Sequence, residues 1–403
     1  MVLGIPIEFY LFALILLFVA LFHNHVLKTA LIGLTVVTIY KIFFAGFKTG
    51  AGLNGFIIHL SHEWVIIVNL LCLLVGFALL SNHFEKSNIT DKISVILPEG
   101  WKGAFALLAF VFFISSFLDN IAAAIIGATI ASNLFNKKVH IGYLAAIVAA
   151  SNAGGSGSVV GDTTTTMMWL AGVPPIQVLH GYIAAFVALF VSGYFAAKQQ
   201  ESYQSIIRSS QSGRSVDWGR IFIVFFILIT AVVTNVVVNI KFSDLSDYFP
   251  FIGVSVWIAL FILIPLRKPD WSIIPGAFKG SIFLLALVLT ASMMPVEKLP
   301  PASWYSTFGL GFLSAVFDNI PLTELGIKQN NYDWGMLAYC VGYGGSMIWF
   351  GSSAGVAVAN LFPEAKSVGR WVKEGWHVTL AYIVGFAAIM LIWGWHPMLI
   401  AHK

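Results

Sequence analysis

Charged residues are scarce in this sequence of 403 residues. Asp, Glu, Lys and Arg together make up 10% of the chain, hydrophobic residues make up 59%, and the mean hydropathy is +0.88. So little charge excludes a soluble globular chain and indicates a polytopic membrane protein. The formal net charge of +4 is small, and the basic residues are spread over short connections, which argues against nucleic-acid binding.

Cysteine is almost absent. Cys72 and Cys340 both lie in apolar runs, so we expect neither an extracellular disulfide framework nor a thiolate metal site. The first apolar run, 9–22, lacks a preceding basic segment and a following small-residue cleavage pattern. We therefore expect a retained helix there rather than a signal peptide.

Two motifs occur twice in the chain, in the same order. SSFLDNIAAAIIG at 115–127 returns as SAVFDNIPLTELG at 314–326, and SNAGGSGSVVGDTTTT at 151–166 aligns with VGYGGSMIWFGSSAGV at 341–356. Each copy interrupts strongly apolar sequence with polar or glycine residues. A duplicated membrane protein with interrupted hydrophobic segments at matching places is typical of a secondary transporter built from two structural repeats.

The apolar runs divide the chain into two similar halves. We predict a first repeat at 1–197, a cytoplasmic linker at 198–220 and a second repeat at 221–403. The predicted elements of the first repeat are spans at 7–22, 26–47, 64–81 and 176–197, a hairpin at 103–135 and a broken helix at 139–171. Those of the second are spans near 221–240, 251–266, 273–293 and 377–395, a hairpin at about 303–327 and a broken helix at 334–361.

The fold expected from these elements is an all-α polytopic membrane protein. Each half would have about five membrane-crossing helices, one of them discontinuous, and one re-entrant helical hairpin. An odd number of crossings gives the halves opposite orientations, so we predict two inverted-topology repeats. Placing the linker in the cytoplasm puts most Lys and Arg residues on that side, as cytoplasmic loops require, and both termini outside.

Polar side chains in the hairpins and helix breaks are the candidate ligands. A carboxylate at membrane depth costs roughly 2.5–3.5 kcal/mol on insertion scales and is a functional-site hypothesis by default. The four motifs contain oxygen donors and no Arg or Lys, which favours a small cation such as Na+ over an organic anion. Asp119 and Asp318 are the leading metal ligands. The predicted cation- and proton-binding residues are Asp119, Asn120, Asn152, Gly154, Gly155, Ser156, Asp162, Thr163, Asp318, Asn319, Glu324, Gly344, Gly345 and Ser346.

Competition between a cation and a proton for one carboxylate predicts antiport. Structural roles stay open beside this hypothesis, because an Asp in a membrane can also cap a helix. Asp162 aligns with Ser352 and Glu324 aligns with Ile125, so neither acid has an acidic counterpart in the other repeat. Each is a proton or cation site, or else a local cap or interface residue.

A polar stretch between the second and third predicted spans holds His59, His62 and Glu63. We interpret these as membrane-interface residues rather than metal ligands, because no third ligand is evident. The sequence predicts no resident cofactor and no enzymatic activity.

SSFLDNIAAAI, SNAGGSGSVVGDTTTTMMW, FDNIPL and GYGGSMIWFGSSAGVAV together resemble the NhaD-type Na+/H+ antiporters of the ion transporter superfamily. That superfamily also contains divalent anion/sodium symporters and arsenite efflux carriers. The resemblance implies a homodimer in the cytoplasmic membrane that expels Na+ or Li+ against inward-moving protons. The family's motifs map onto Asp119, Asn120, Gly154, Gly155, Gly161, Asp162, Thr163, Asp318, Asn319, Gly344 and Gly345. The chain departs from the family in having three spans before the first hairpin and in having Glu324.

The alternative is a Na+-coupled carrier for a di- or tricarboxylate or another anion. Symporters of the superfamily characteristically have Ser-Asn-Thr at the hairpin tips, whereas Asp occupies that neighbourhood here and would repel an anion. A channel or a non-transporting sensor is a more distant class, because a duplicated pair of opposed hairpins suits alternating access.

Overall fold

The computed structural model describes residues 6–22, 25–89, 97–207, 215–242, 245 and 248–400. Most of these residues are helical, and no β-strand occurs in the described ranges. Part of the predicted linker, 208–214, and the two chain ends, whose predicted location is outside, lie beyond the described residues.

Eighteen α-helices are described. In the first half these are α1 Ile7–Leu21, α2 Val26–Tyr40, α3 Gly52–Glu85, α4 Trp101–Ser115, α5 Asn120–Leu134, α6 Ile141–Ser156, α7 Thr163–Leu170, α8 Pro175–Leu179 and α9 Gly181–Tyr203. In the second half they are α10 Trp218–Lys241, α11 Phe251–Leu263, α12 Ile274–Ser292, α13 Trp304–Val316, α14 Asn319–Gln329, α15 Trp334–Gly344, α16 Ser353–Leu361, α17 Val368–Glu374 and α18 Trp376–Ile392.

Five helical segments of the described chain are long and apolar enough to cross a bilayer. They are Val26–Ala45, Gly52–Glu85, Pro175–Tyr203, Trp218–Val238 and Trp271–Ser292. A sixth is added if α17 and α18, which are bent by 58° relative to each other, are counted as one span. These apolar helices make the chain an all-α polytopic membrane protein.

Helix α3 differs from its predicted bounds. The sequence predicts a span at 64–81, but the helix runs over 34 residues, about 51 Å at 1.5 Å per residue. His59, His62 and Glu63 therefore lie inside a helix rather than in a connection, and His59 and Glu63 are buried. A prediction based on hydrophobicity alone missed this extension, because polar residues at one end of a long helix resemble the sequence of a loop.

The two broken helices form the buried centre of the molecule. All residues of α6 and of α15 are buried, which is expected for helices that are apolar all round and packed on every side. Non-helical segments at 157–162 and 345–352 separate them from α7 and α16.

The halves pack reciprocally around these breaks. Helix α5, after the first hairpin turn, packs on α16 of the second broken helix, and α14, after the second turn, packs on α7 of the first. Equivalent contacts recur within each half: Ser115 Oγ donates to the carbonyl of Ser151 at 2.6 Å, and Ser314 Oγ donates to that of Val341 at 2.6 Å. This arrangement brings the four repeated motifs together.

Candidate ion-binding site at the helix breaks

Four helices begin at the repeated motifs, and each begins with a side-chain cap. Asp119 caps α5, Asp162 caps α7, Asp318 caps α14 and Ser352 caps α16. In every case a side-chain oxygen accepts a hydrogen bond from a backbone amide of the first turn, which would otherwise be unpaired. In each of the three Asp residues the capping hydrogen bond uses one carboxylate oxygen, Oδ1, and the second oxygen, Oδ2, is available for another partner.

The second oxygen of Asp162 is an orphan. Asp162 is 2% exposed, and its Oδ2 is buried without a hydrogen-bond partner in the described part of the chain. Gly342 of α15 leaves room in front of it, because a Cβ there would lie 3.3 Å from this oxygen. A buried polar atom without a partner carries a desolvation penalty of about 1–3 kcal/mol or more, so this oxygen is favourably placed to bind a cation or a proton.

A small cavity joins Asp162 to Asp119. Its polar lining consists of these two carboxylates with Thr163 and Thr166, and α3 supplies an apolar wall. The apolar lining residues are Leu70, Leu73, Leu74, Phe77 and Val160. The cavity volume is about 10 Å³, close to that needed for one water-sized sphere, so it fits a single small ion.

Asn152 connects the first hairpin to the second broken helix. Asn120 Nδ2 donates to Asn152 Oδ1 at 3.0 Å, and Asn152 Nδ2 donates to Ser346 Oγ at 2.9 Å and to Ser352 Oγ at 3.2 Å. Because all four side chains are buried, the network holds the first hairpin and the two broken helices together.

Asp318 occupies the corresponding position in the second half. Ser353 Oγ donates to its Oδ2 at 3.4 Å, and the electrostatic interactions of Asp162 include both Asp119 and Asp318. Among the described contacts no hydrogen bond joins Asp119 to Asp318, and in the described ranges no group of three His, Cys, Asp or Glu residues is close enough to hold a metal ion. The structure thus places Asp162, rather than Asp318, on the same cavity as Asp119.

The predicted glycines mark close backbone approach. A Cβ at Gly154 would lie 2.0 Å from the carbonyl oxygen of Phe112, and one at Gly344 would lie 2.3 Å from that of Gly311. Gly155 and Gly345 equally leave no room, since a Cβ at either would lie 2.7 Å from a carbonyl oxygen across the break. Gly154 and Gly344 thus allow the broken helices to pack against the hairpins, and Gly155 and Gly345 allow close approach of the backbone across each break.

The remaining predicted residues have separate surroundings. Ser156 is buried and donates within its own helix to the carbonyl of Ala153, and Asn319 is buried at the start of α14. Glu324 lies further along α14, in an ion pair with Lys328. The site prediction missed Ser352 and Ser353; the alignment of Asp162 with a serine, a favoured cap residue, was the signal that could have found Ser352.

Comparison with known proteins supports the same group of transporters. The family model described as a citrate transporter, CitMHS, matches residues 10–342. Sodium/proton antiporter 1 of Arabidopsis thaliana is 25% identical over 352 residues, covering 76% of this chain and 58% of that protein. This chain therefore spans a little over half of that relative's length.

Two further relatives carry similar names. Sodium/proton antiporter 2 of Arabidopsis thaliana is 25% identical over 323 residues, covering 68% of this chain and 72% of that protein. Na(+)/H(+) antiporter NhaD of Vibrio cholerae is 24% identical over 330 residues, covering 70% of this chain and 68% of that protein. These matches confirm the resemblance inferred from the motifs. The family match extends over most of the chain, so this protein belongs to the CitMHS citrate transporter family.

Proposed function

We propose that this transporter exchanges Na+ or Li+ for H+ across the cytoplasmic membrane by alternating access. The observation that carries the proposal is the cavity shared by Asp119 and Asp162, together with the buried Asp162 Oδ2 atom, which has no hydrogen-bond partner among the described residues. The names of the antiporter relatives agree with it.

The chemistry follows from the two oxygens of each carboxylate. Oδ1 of Asp119 and of Asp162 holds a helix N-terminus, so the carboxyl group stays in place while its other oxygen exchanges ligands. A hard cation prefers oxygen ligands, and Thr163 adds a neutral one at the same cavity. A proton that binds Asp162 Oδ2 removes the negative charge that holds the cation, so the two ions exclude each other.

The repeated packing supports the transport cycle. We infer that residues 1–197 and 221–403 are inverted repeats whose hairpins are re-entrant, with the linker in the cytoplasm, both termini outside and two chains in a homodimer. The reciprocal contacts of α5 with α16 and of α14 with α7 support a site between the repeats. Rocking or sliding of these four helices against the outer helices would open the site to each side of the membrane in turn.

Vesicles containing the purified protein test the exchange. Addition of Na+ should move protons in the opposite direction, as reported by a pH-sensitive dye, and Asp119→Asn, Asp162→Asn and Asp318→Asn should each abolish this movement. Glu364→Gln, which changes an exposed acid, is the matched control and should retain it. Full activity in all three Asp variants would refute the proposed site.

The second candidate is a Na+-coupled carrier for citrate or a related carboxylate, which the description of the family favours. The cavity argues against it, because about 10 Å³ cannot enclose a tricarboxylate and the two carboxylates at its surface would repel one. Labelled citrate or succinate uptake into the same vesicles decides between the two. Na+-dependent uptake without proton exchange would establish the carboxylate carrier.

A further inference from the structure

A second group of buried charged residues lies outside the helix-break site. Lys328 of α14 forms ion pairs with Glu63 of α3, at 2.5 Å, and with Glu324 of its own helix, at 3.7 Å. The side chains of Glu63 and Glu324 are only 8% and 5% exposed, and that of Lys328 is 24% exposed. These residues link the long helix α3 to the second hairpin.

The two acids are not equally paired. The Lys328 ammonium donates to Glu63 Oε1, whereas its 3.7 Å separation from Glu324 is longer than a hydrogen bond. The carboxyl group of Glu324 is almost fully buried, and this longer ion pair with Lys328 is its contact with a positive charge. A buried carboxylate in this condition is strongly destabilised by desolvation.

The net charge of the three side chains indicates what would reduce the desolvation cost of Glu324. With all three side chains ionised the group carries one excess negative charge, and one proton on a carboxyl oxygen makes it neutral. A second metal cation is disfavoured because the Lys328 ammonium already lies between the carboxylates and would repel it. We propose that Glu63, Lys328 and Glu324 form a proton-binding site separate from the helix-break site, in which Glu324 accepts the proton.

The helices packed on α14 do not change the net charge of this group of three side chains. Of the helices packed on α14, α7, α13 and α15 carry no Asp, Glu, Lys or Arg, and the one such residue of α12, Lys279, is exposed. The neighbouring 3₁₀ turn carries Glu297 and Lys298, both exposed. On the side of Glu63 the neighbouring titratable groups are His59, which hydrogen-bonds Ser292 at 3.0 Å, His62, and the buried Lys41 of the turn after α2.

The position of the group relates it to transport. Glu324 lies six residues after Asp318 on the same helix, about 9 Å along the axis, so it is close to the helix-break site without being part of it. The aligned positions of the first hairpin are Ile125 and Thr129, which means that this proton site exists in one repeat only. In the proposed topology α14 ends and α3 begins at the outer face, the side from which protons enter. This assignment of a direction rests on the proposed function, whereas proton binding itself does not.

Counting protons on the purified full-length protein in detergent tests the inference. The protein is titrated in the absence of Na+ from about pH 9 to about pH 5.5, where exposed carboxyls stay ionised. Glu324→Gln should take up one proton fewer per chain than the unmodified protein. Glu63→Gln should lose the same proton, because Lys328 then neutralises Glu324 directly. Glu364→Gln, at an exposed site, should match the unmodified protein.

The outcomes separate this inference from the proposed exchange. Proton release from the unmodified protein on adding Na+ reports the Asp119 and Asp162 site. If that release is absent in the unmodified protein but the one-proton difference is found, the exchange proposal fails and the proton site stands. An unchanged proton count in Glu324→Gln, or in Glu63→Gln where the first variant does not fold, overturns the proton site.

Discussion

Replacement of Gly154 by Ala tests the close packing on which the ion site depends. The added Cβ would lie 2.0 Å from the carbonyl oxygen of Phe112 and 2.8 Å from its carbonyl carbon, so backbone rather than a flexible side chain must move. Overpacking of this kind costs typically about 1–3 kcal/mol, and the clash forces α6 away from α4, the first helix of the hairpin. The higher helix propensity of Ala works in the opposite direction by roughly 1 kcal/mol.

Gly309→Ala measures that propensity separately. Gly309 lies within α13, the first helix of the second hairpin, and a Cβ there meets nothing within 4 Å. We expect Gly309→Ala to be neutral or slightly stabilising in thermal unfolding in detergent and to keep Na+-driven proton movement. Gly154→Ala should unfold at a lower temperature and lose transport. Equal stability and transport in the two variants would refute the packing argument.

Three further predictions concern the Asn152 hydrogen-bond network, the surface charges and the topology. Asn152→Ala should destabilise the protein by about 1–3 kcal/mol for each buried group left without a partner. Thermal unfolding compared with Ser192→Ala, which removes a hydroxyl that donates to the carbonyl of Ala188 in its own helix, measures this. The hydrogen bond from Lys86 lowers the pKa of the exposed Asp270 to about 2. A carboxyl group whose pKa is lowered by folding stabilises the protein at pH values above its unfolded pKa of about 3.9, and this stability is lost as the pH falls through its folded pKa. Asp270→Asn should therefore flatten the plot of stability against pH between about pH 4 and pH 2 and leave its slope between about pH 5 and pH 9 unchanged. A cysteine replacing exposed Lys48 should react with an impermeant thiol reagent from outside the cell and one replacing exposed Ser202 only from inside; labelling of both from one side would contradict the inverted topology.

The sequence also indicated where the chain must break and cap its helices. Asp119 and Asp318 each follow an apolar run and precede small or apolar residues, and both begin a helix in the structure. Helix caps of this kind depend on local hydrogen bonds, which are readable from a few neighbouring residues. The pairing of Asp119 with Asp162 across one cavity was not readable, because it depends on how α5 and α7 pack.

By itself, the sequence determined that this chain is a helical membrane protein in which two motifs occur twice, because apolar length, glycine position and repeated motifs are properties of neighbouring residues. Only the tertiary structure decided which acids share a site. Asn152 hydrogen-bonds Ser346, 194 positions away, and Lys328 hydrogen-bonds Glu63, 265 positions away. Such contacts arise from helix packing, in which residues far apart in the chain are brought together, and no local pattern specifies them.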